Sequence, residues 1–213
     1  FVRLAEDSEL PRTCQPSPAS FMQVYEDAAA AGDEILVITI AQKLSGTYQC
    51  AHLAAADVGV HAYIVDSENA TLGEALIVRE ALRLRDEEGL SAAEIAAALE
   101  TFKKRVRIVA IVDSLKHLQK GGRLPAAVAI VGGALGIKPV LHVDPTGHLV
   151  AMEKVRGRKA SLDALVKHYR DGAFAHESQT VFISHGDCLA DAQYVAEKIR
   201  AIGAGRIELN MMG

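Results

Sequence analysis

The chain has 213 residues, half of them hydrophobic, but only 5% aromatic and with no Trp, so its apolar content is mainly Ala, Val, Leu and Ile. That length buries a sizeable core, and a formal charge of −4 argues against a protein that grips a phosphate backbone. Five Tyr and five Phe scattered along the chain also make a poor stacking platform for single-stranded nucleic acid.

Three cysteines, Cys14, Cys50 and Cys188, are odd in number and widely spaced. They suggest neither a disulfide framework nor a zinc knuckle, and fit a reducing cytoplasm. No apolar run approaches the roughly 20 residues of a membrane span. Glu6, Asp7 and Glu9 stand where an export signal would carry its apolar core, so the chain reads as unexported.

Apolar β-type runs alternate with helical patterns, which predicts βαβ units and a parallel sheet. In chain order the expected elements are a helix over Ser20–Ala31, a strand over Ile35–Ile40, a helix over Thr47–Ala56, a strand over His61–Val65 and a helix over Leu72–Arg85. Ser91 and Glu94 form a capping box that starts a helix running to about Lys104, with Lys103, Lys104 and Arg105 as its basic last turn. Arg107–Val112 supplies a third strand.

The character of the chain changes near residues 120–130, where Pro125–Leu135 is small and apolar. Ile137–Val143 and Leu149–Val155 flank Asp144-Pro145-Thr146-Gly147, a hairpin turn, so the sheet is expected to become antiparallel. A helix over Lys159–Tyr169, a strand over Thr180–Ser184, a helix over Leu189–Ile202 and a strand over Arg206–Leu209 complete the pattern. The expected organisation is an α/β domain over residues 1–122, without its first strands, and a smaller α/β domain over 123–213 with a largely antiparallel sheet, without its last strand.

Leu44-Ser45-Gly46-Thr47-Tyr48 lies between the carboxyl end of a strand and a helix start, where ligands of open α/β sheets bind. Unpaired amides and the helix dipole favour an anion there, Gly46 permits close approach, and the Ser45 and Thr47 hydroxyls add donors. An ordinary N-cap role for Ser45 is the competing reading. Arg12-Thr13-Cys14-Gln15-Pro16-Ser17-Pro18 is a rigid loop suited to holding a hydroxyl in place.

Together with Val65-Asp66-Ser67, Leu118-Gln119-Lys120-Gly121-Gly122-Arg123, Ile137-Lys138-Pro139 and Lys154-Val155-Arg156-Gly157, these motifs occur in the order and spacing of the DegV family, which the chain resembles over nearly its whole length. The resemblance implies a two-domain DegV-like fold that holds a long-chain fatty acid, such as palmitate, between its domains as a ligand with no other cofactor. It implies that the carboxylate is held by Thr13 and Ser45, at Gly46 and Thr47, with Arg156 contacting the head group or a partner. It further implies a non-enzymatic, cytoplasmic lipid-binding protein that presents the fatty acid to a separate ATP-dependent fatty-acid kinase for acyl-phosphate formation. Cys14 replaces the family's usual Ser, Ala41-Gln42 stands where a Ser pair is common, and the family's His-x-Gly-Pro-Gly motif is absent.

Burying about a dozen methylenes at roughly 0.8 kcal/mol each gives on the order of 10 kcal/mol, against about 1.5–3 kcal/mol for each hydrogen bond to a carboxylate. The tail therefore supplies affinity and the head group orientation, with Ile130–Leu135 a candidate wall. The alternative is a serine hydrolase acting on a lipid or thioester through Ser45 and His185, with Asp66 as third member, although no Gly-x-Ser-x-Gly elbow presents the serine. His142 and His148 flank the hairpin turn and are expected on solvated strand positions, since two ligands do not make a metal site.

Overall fold

The computed structural model describes residues 13–113, 115, 118, 121–123 and 136–212. The expected apolar stretch at 125–135, including the candidate wall at Ile130–Leu135, lies outside the described residues. The first layer runs α1 (Pro18–Ala31), β1 (Ile35–Thr39), α2 (Thr47–Val58), β2 (Ala62–Asp66), α3 (Thr71–Glu88) and α4 (Ala92–Phe102). Strands β1 and β2 pair in parallel, with Ile35 opposite Ala62 and Thr39 opposite Asp66.

Alternate residues of β1 serve two cores, as strand geometry requires. Ile35 and Val37 pack with Tyr25, Ala54 and Ala55 of α1 and α2. Leu36 and Ile38 pack with Ile77, Leu84, Ile95 and Leu99 of α3 and α4. Small residues on the buried side of α2, among them Ala51 and Ala54 at 0% exposure, let the helix lie close, and Tyr25 Oη donates to the Ala51 carbonyl at 3.2 Å. The capping box is present, with Ser91 Oγ accepting from the Glu94 amide and Glu94 accepting from the Ser91 amide.

After a 3-10 turn over Lys103–Arg105 come β3 (Val109–Ile111), β4 (Ile137–Val143), β5 (Leu149–Arg156), α5 (Arg158–Gly172), a 3-10 turn over His176–Ser178, β6 (Thr180–His185), α6 (Leu189–Ile202) and β7 (Arg206–Met211). The sheet order is β3-β4-β5 antiparallel, with β6 and β7 a separate parallel pair. Strand β3 thus joins β4 and β5, whereas β1 and β2 pair with each other. Pro139 interrupts no ladder bond with β3, because that pairing begins at Val140.

The expected helix to Lys104 ends instead at Phe102, and Lys103 is no solvated last-turn cation. It is 5% exposed, its Nζ donating to the Asp66 carbonyl at 2.9 Å and pairing with Glu100 at 2.7 Å and Glu68 at 3.3 Å. A buried ammonium needs such partners. No described helix is long and apolar enough to cross a membrane.

Candidate functional site: a cleft floored by the start of α2

A cleft of about 2000 Å3 is lined by Thr13, Cys14, Ile40 and Ser45, by residues of α3, and by residues from β3 to α6, Val181 and Ile183 among them. At its first-layer wall the local structure follows from Ser45-Gly46-Thr47. Gly46 occupies the N-cap position of α2 and no side chain caps the helix there. The first intrahelical bond is Cys50 N to the Gly46 carbonyl, at 3.0 Å, so the amides before it are not used by the helix. The first turn holds no acidic residue.

Ser45 is therefore not the ordinary N-cap. Its Oγ accepts weakly from the Thr47 amide at 3.3 Å and lies 2.7 Å from Thr47 Oγ1. Two linked hydroxyls and first-turn amides that no backbone carbonyl claims, at the positive end of the helix dipole, form an arrangement suited to an anion.

The loop that carries Thr13 is seated on the same turn. A Cβ on Gly46 would lie 2.3 Å from Gln15 Oε1, so only glycine admits the Gln15 side chain. Gln15 Nε2 donates to Cys50 Sγ at 3.0 Å, tying the loop to α2 from a second direction. Thr13 and Ser45 line one cleft as a result, although 32 residues part them in sequence.

The Val65-Asp66-Ser67 motif closes the neighbouring strand end. Asp66 accepts from the amides of Gln42 at 3.3 Å and Glu68 at 2.9 Å. Ser67, fully buried, donates to the Asn69 carbonyl and accepts from the Asn69 amide, both at 3.1 Å. Gly147, at the tip of the β4–β5 turn, sits against this region, and a Cβ there would meet the Ala41 Cβ at 3.2 Å. Its φ of +86° also suits glycine.

The members of the hydrolase alternative have other partners. Ser45 Oγ engages Thr47, Asp66 engages two backbone amides, and His185 Nδ1 accepts from the Cys188 amide at 3.3 Å. His142 stands opposite Val150 in the sheet, whereas His148 Nδ1 lies 2.8 Å from Thr146 Oγ1 within the turn. Among the described residues no group of acidic, His or Cys side chains is placed to hold a metal ion.

Arg156 is exposed at the end of β5 and does not line the cleft with Thr13 and Ser45. Arg79, Arg83, Arg107, Arg123 and Arg158, which sequence reasoning did not single out as site residues, do line it. Arg123, the last residue of the Lys120-Gly121-Gly122-Arg123 motif, donates from Nε to the Leu44 carbonyl at 3.3 Å, next to Ser45. Arg158 holds Asp191 through Nε at 2.8 Å and a second nitrogen at 2.7 Å. Arg123's motif was the available signal; Arg158 had none, since Asp191 lies 33 residues away.

The whole chain, residues 1–213, matches the family model described as "Uncharacterised protein, DegV family". A DegV domain-containing protein of Clostridium perfringens is 34% identical over 205 residues, covering 94% of this chain and 70% of that protein. A DegV family protein of Thermus thermophilus, described as fatty acid binding, has 31% identity and a TM-score of 0.85, covering 99% of this chain and 75% of that one. A Ruminococcus gnavus DegV protein solved with vaccenic acid has 25% identity and a TM-score of 0.87, covering 99% and 76%. Fold, motif order and full-length match agree: the chain belongs to the DegV family.

Proposed function

We propose that this protein is a non-enzymatic carrier that holds one long-chain fatty acid in the cleft, with its carboxylate at Thr13 and Ser45, and presents it to a separate ATP-using kinase that forms the acyl phosphate. The observation that supports the head-group assignment is that Thr13 and Ser45 both line the cleft, with Ser45 at the start of α2, where no side chain caps the helix. Hydroxyls and amides orient a carboxylate without a fixed counter-charge, and leave its oxygen able to attack a phosphoryl group once a partner supplies one. The alkyl chain runs along Ile40, Val181 and Ile183, which explains how an aromatic-poor chain builds a lipid site from aliphatic side chains.

In this reading the two units are the β1–β2 layer and the part containing β3 to β7, with the ligand between them. Arg156, exposed and away from the cleft, belongs to the surface offered to the kinase rather than to the head-group site. The kinase step and the cytoplasmic placement rest on the motif resemblance, and the three free thiols accord with a reducing compartment.

Native mass spectrometry of protein purified from a bacterial host tests the reading. A co-purified mass equal to one acyl chain is expected. A ligand-free protein that also fails to take up palmitic acid would overturn it.

A further inference from the structure

The turn that brings Ser45 to the cleft hangs from Ala41. The Ala41 carbonyl accepts from the amides of Leu44 at 2.9 Å and Ser45 at 3.2 Å, and the Ala41 amide donates to the Asn69 carbonyl at 2.8 Å. Ala41 is wholly buried, and close-packed interiors pass small displacements on to their neighbours. A shift of the Ala41 backbone therefore carries the Ser45 amide with it.

Ala41 is covered by the β4–β5 turn, which comes from far along the chain. A Cβ on Gly147 would stand 3.2 Å from the Ala41 Cβ, and 3.7 Å from both the Glu68 Cα and the Lys43 Cγ. Bare glycine thus lets the turn rest directly on Ala41. The turn is braced from within. The Asp144 carboxylate accepts from the Thr146 amide at 2.8 Å, the Thr146 hydroxyl at 2.6 Å and the His148 amide at 3.1 Å. The Gly147 amide donates to the Asp144 carbonyl at 2.9 Å.

Leu44 and Ser45 line the cleft, whereas Ala41 and Gly147 do not. The turn can affect a head group at Ser45 only through other residues, and the Ala41 carbonyl supplies the hydrogen-bonded route. Val143 and Leu149, which flank the turn, also line the cleft. A decisive test therefore separates a path through Ser45 from one through the alkyl wall.

We propose that Gly147 is a positioning residue for the head-group site: the β4–β5 turn is a stop against which Ala41 rests, and it sets where the Ser45 hydroxyl stands. This rests on the fatty-acid reading given above. Palmitic acid binding to the full chain tests it, in Gly147→Ala and in Asp144→Ala, each alone and combined with Ser45→Ala. Gly147→Ala pushes on Ala41, and Asp144→Ala loosens the turn without adding an atom there. Each is expected to weaken palmitic acid about three- to tenfold, the scale of one misplaced hydrogen bond. In the Ser45→Ala background each is expected to change the dissociation constant by less than about twofold, because the hydroxyl being positioned is gone.

Thermal melting identifies the folded variants, and Asp144→Ala alone decides the matter if Gly147→Ala does not fold. Unchanged affinity in the folded single variants overturns the positioning role. So does a loss that persists undiminished without the Ser45 hydroxyl, since the turn would then act through the alkyl wall. Both outcomes leave the fatty-acid reading standing, whereas failure of the parent protein to bind palmitic acid overturns the two together.

Discussion

Arg79 on α3 reaches Glu208 on β7 at 2.9 Å, and its guanidinium lies 5.8 Å from the centre of the Phe182 ring on β6. The two residues are 129 positions apart, and the contact ties α3 to the β6–β7 strand pair. Arg79 and Phe182 both line the cleft. Glu208 also takes Arg206 at 2.7 Å, so its carboxylate gathers two cations.

Half-exposed ion pairs contribute little, about 0.2–1 kcal/mol. A double-mutant cycle over Arg79→Ala and Glu208→Ala is therefore expected to give a coupling within that range in urea unfolding, shrinking in molar salt. Zero coupling at low salt would show that the pair is incidental to holding the units together.

Ser45→Ala and Thr13→Ala each remove a hydroxyl from the head-group wall. Each is expected to weaken palmitic acid by about 1.5–3 kcal/mol, roughly ten- to a hundredfold in Kd, with little change in melting temperature. Unchanged affinity in the double variant, measured by fluorescence displacement, would remove the carboxylate from this position.

Gly46→Ala acts through a neighbour. The new Cβ would press on the end of the Gln15 side chain, which is flexible enough to swing aside, so the stability loss stays below about 1 kcal/mol. The loop bearing Thr13 loses its seat on α2, and fatty-acid affinity is expected to fall alongside an otherwise normal unfolding curve. Equal affinity in Gly46→Ala would separate the loop's anchorage from binding.

Gly205→Ala meets the Glu177 backbone, which cannot yield in the same way. A loss of about 3 kcal/mol in unfolding free energy is expected, read by denaturant titration. A loss below 0.5 kcal/mol, roughly the scatter of ordinary surface substitutions, would contradict this packing.

Burial works against charging the Glu68 carboxyl, but Lys104 and Lys103 outweigh it and hold its pKa below the ordinary 4.5. A pKa depressed on folding contributes stability above the unfolded value, and that stability is lost as the pH falls through the folded value. The urea midpoint of the parent is expected to drop more steeply on acidification below about pH 4.5 than that of Glu68→Gln. Parallel acid limbs would show that Glu68 is not coupled to folding.

Local signals were legible where neighbours in sequence are neighbours in space. The capping box at Ser91 and Glu94, the helix from Leu189 to Ile202 and the Asp144–Gly147 turn all depend on contacts within a few residues, and each stands as the pattern predicts. The helix start after Ser45 was legible but its cap was not, because a strand end followed by glycine marks a helix start without fixing which residue takes the N-cap. The partner of the third strand was not legible, because a short apolar run carries no mark of it; pairing is decided by which sheet has an open edge alongside. Lys103 read only as part of a basic last turn, because composition does not show that Asp66, Glu68 and Glu100 converge on it.

By itself the sequence determined the element order and the α/β class, since periodicity, caps and glycine positions act over a few residues. Only the tertiary structure decided that Gln15 meets Gly46 and Cys50 at the start of α2, and that Arg79, Arg123 and Arg158 are among the residues lining the cleft whereas Arg156 is not. Those facts depend on long-range packing, in which residues distant along the chain meet at a particular distance and orientation that no local pattern encodes.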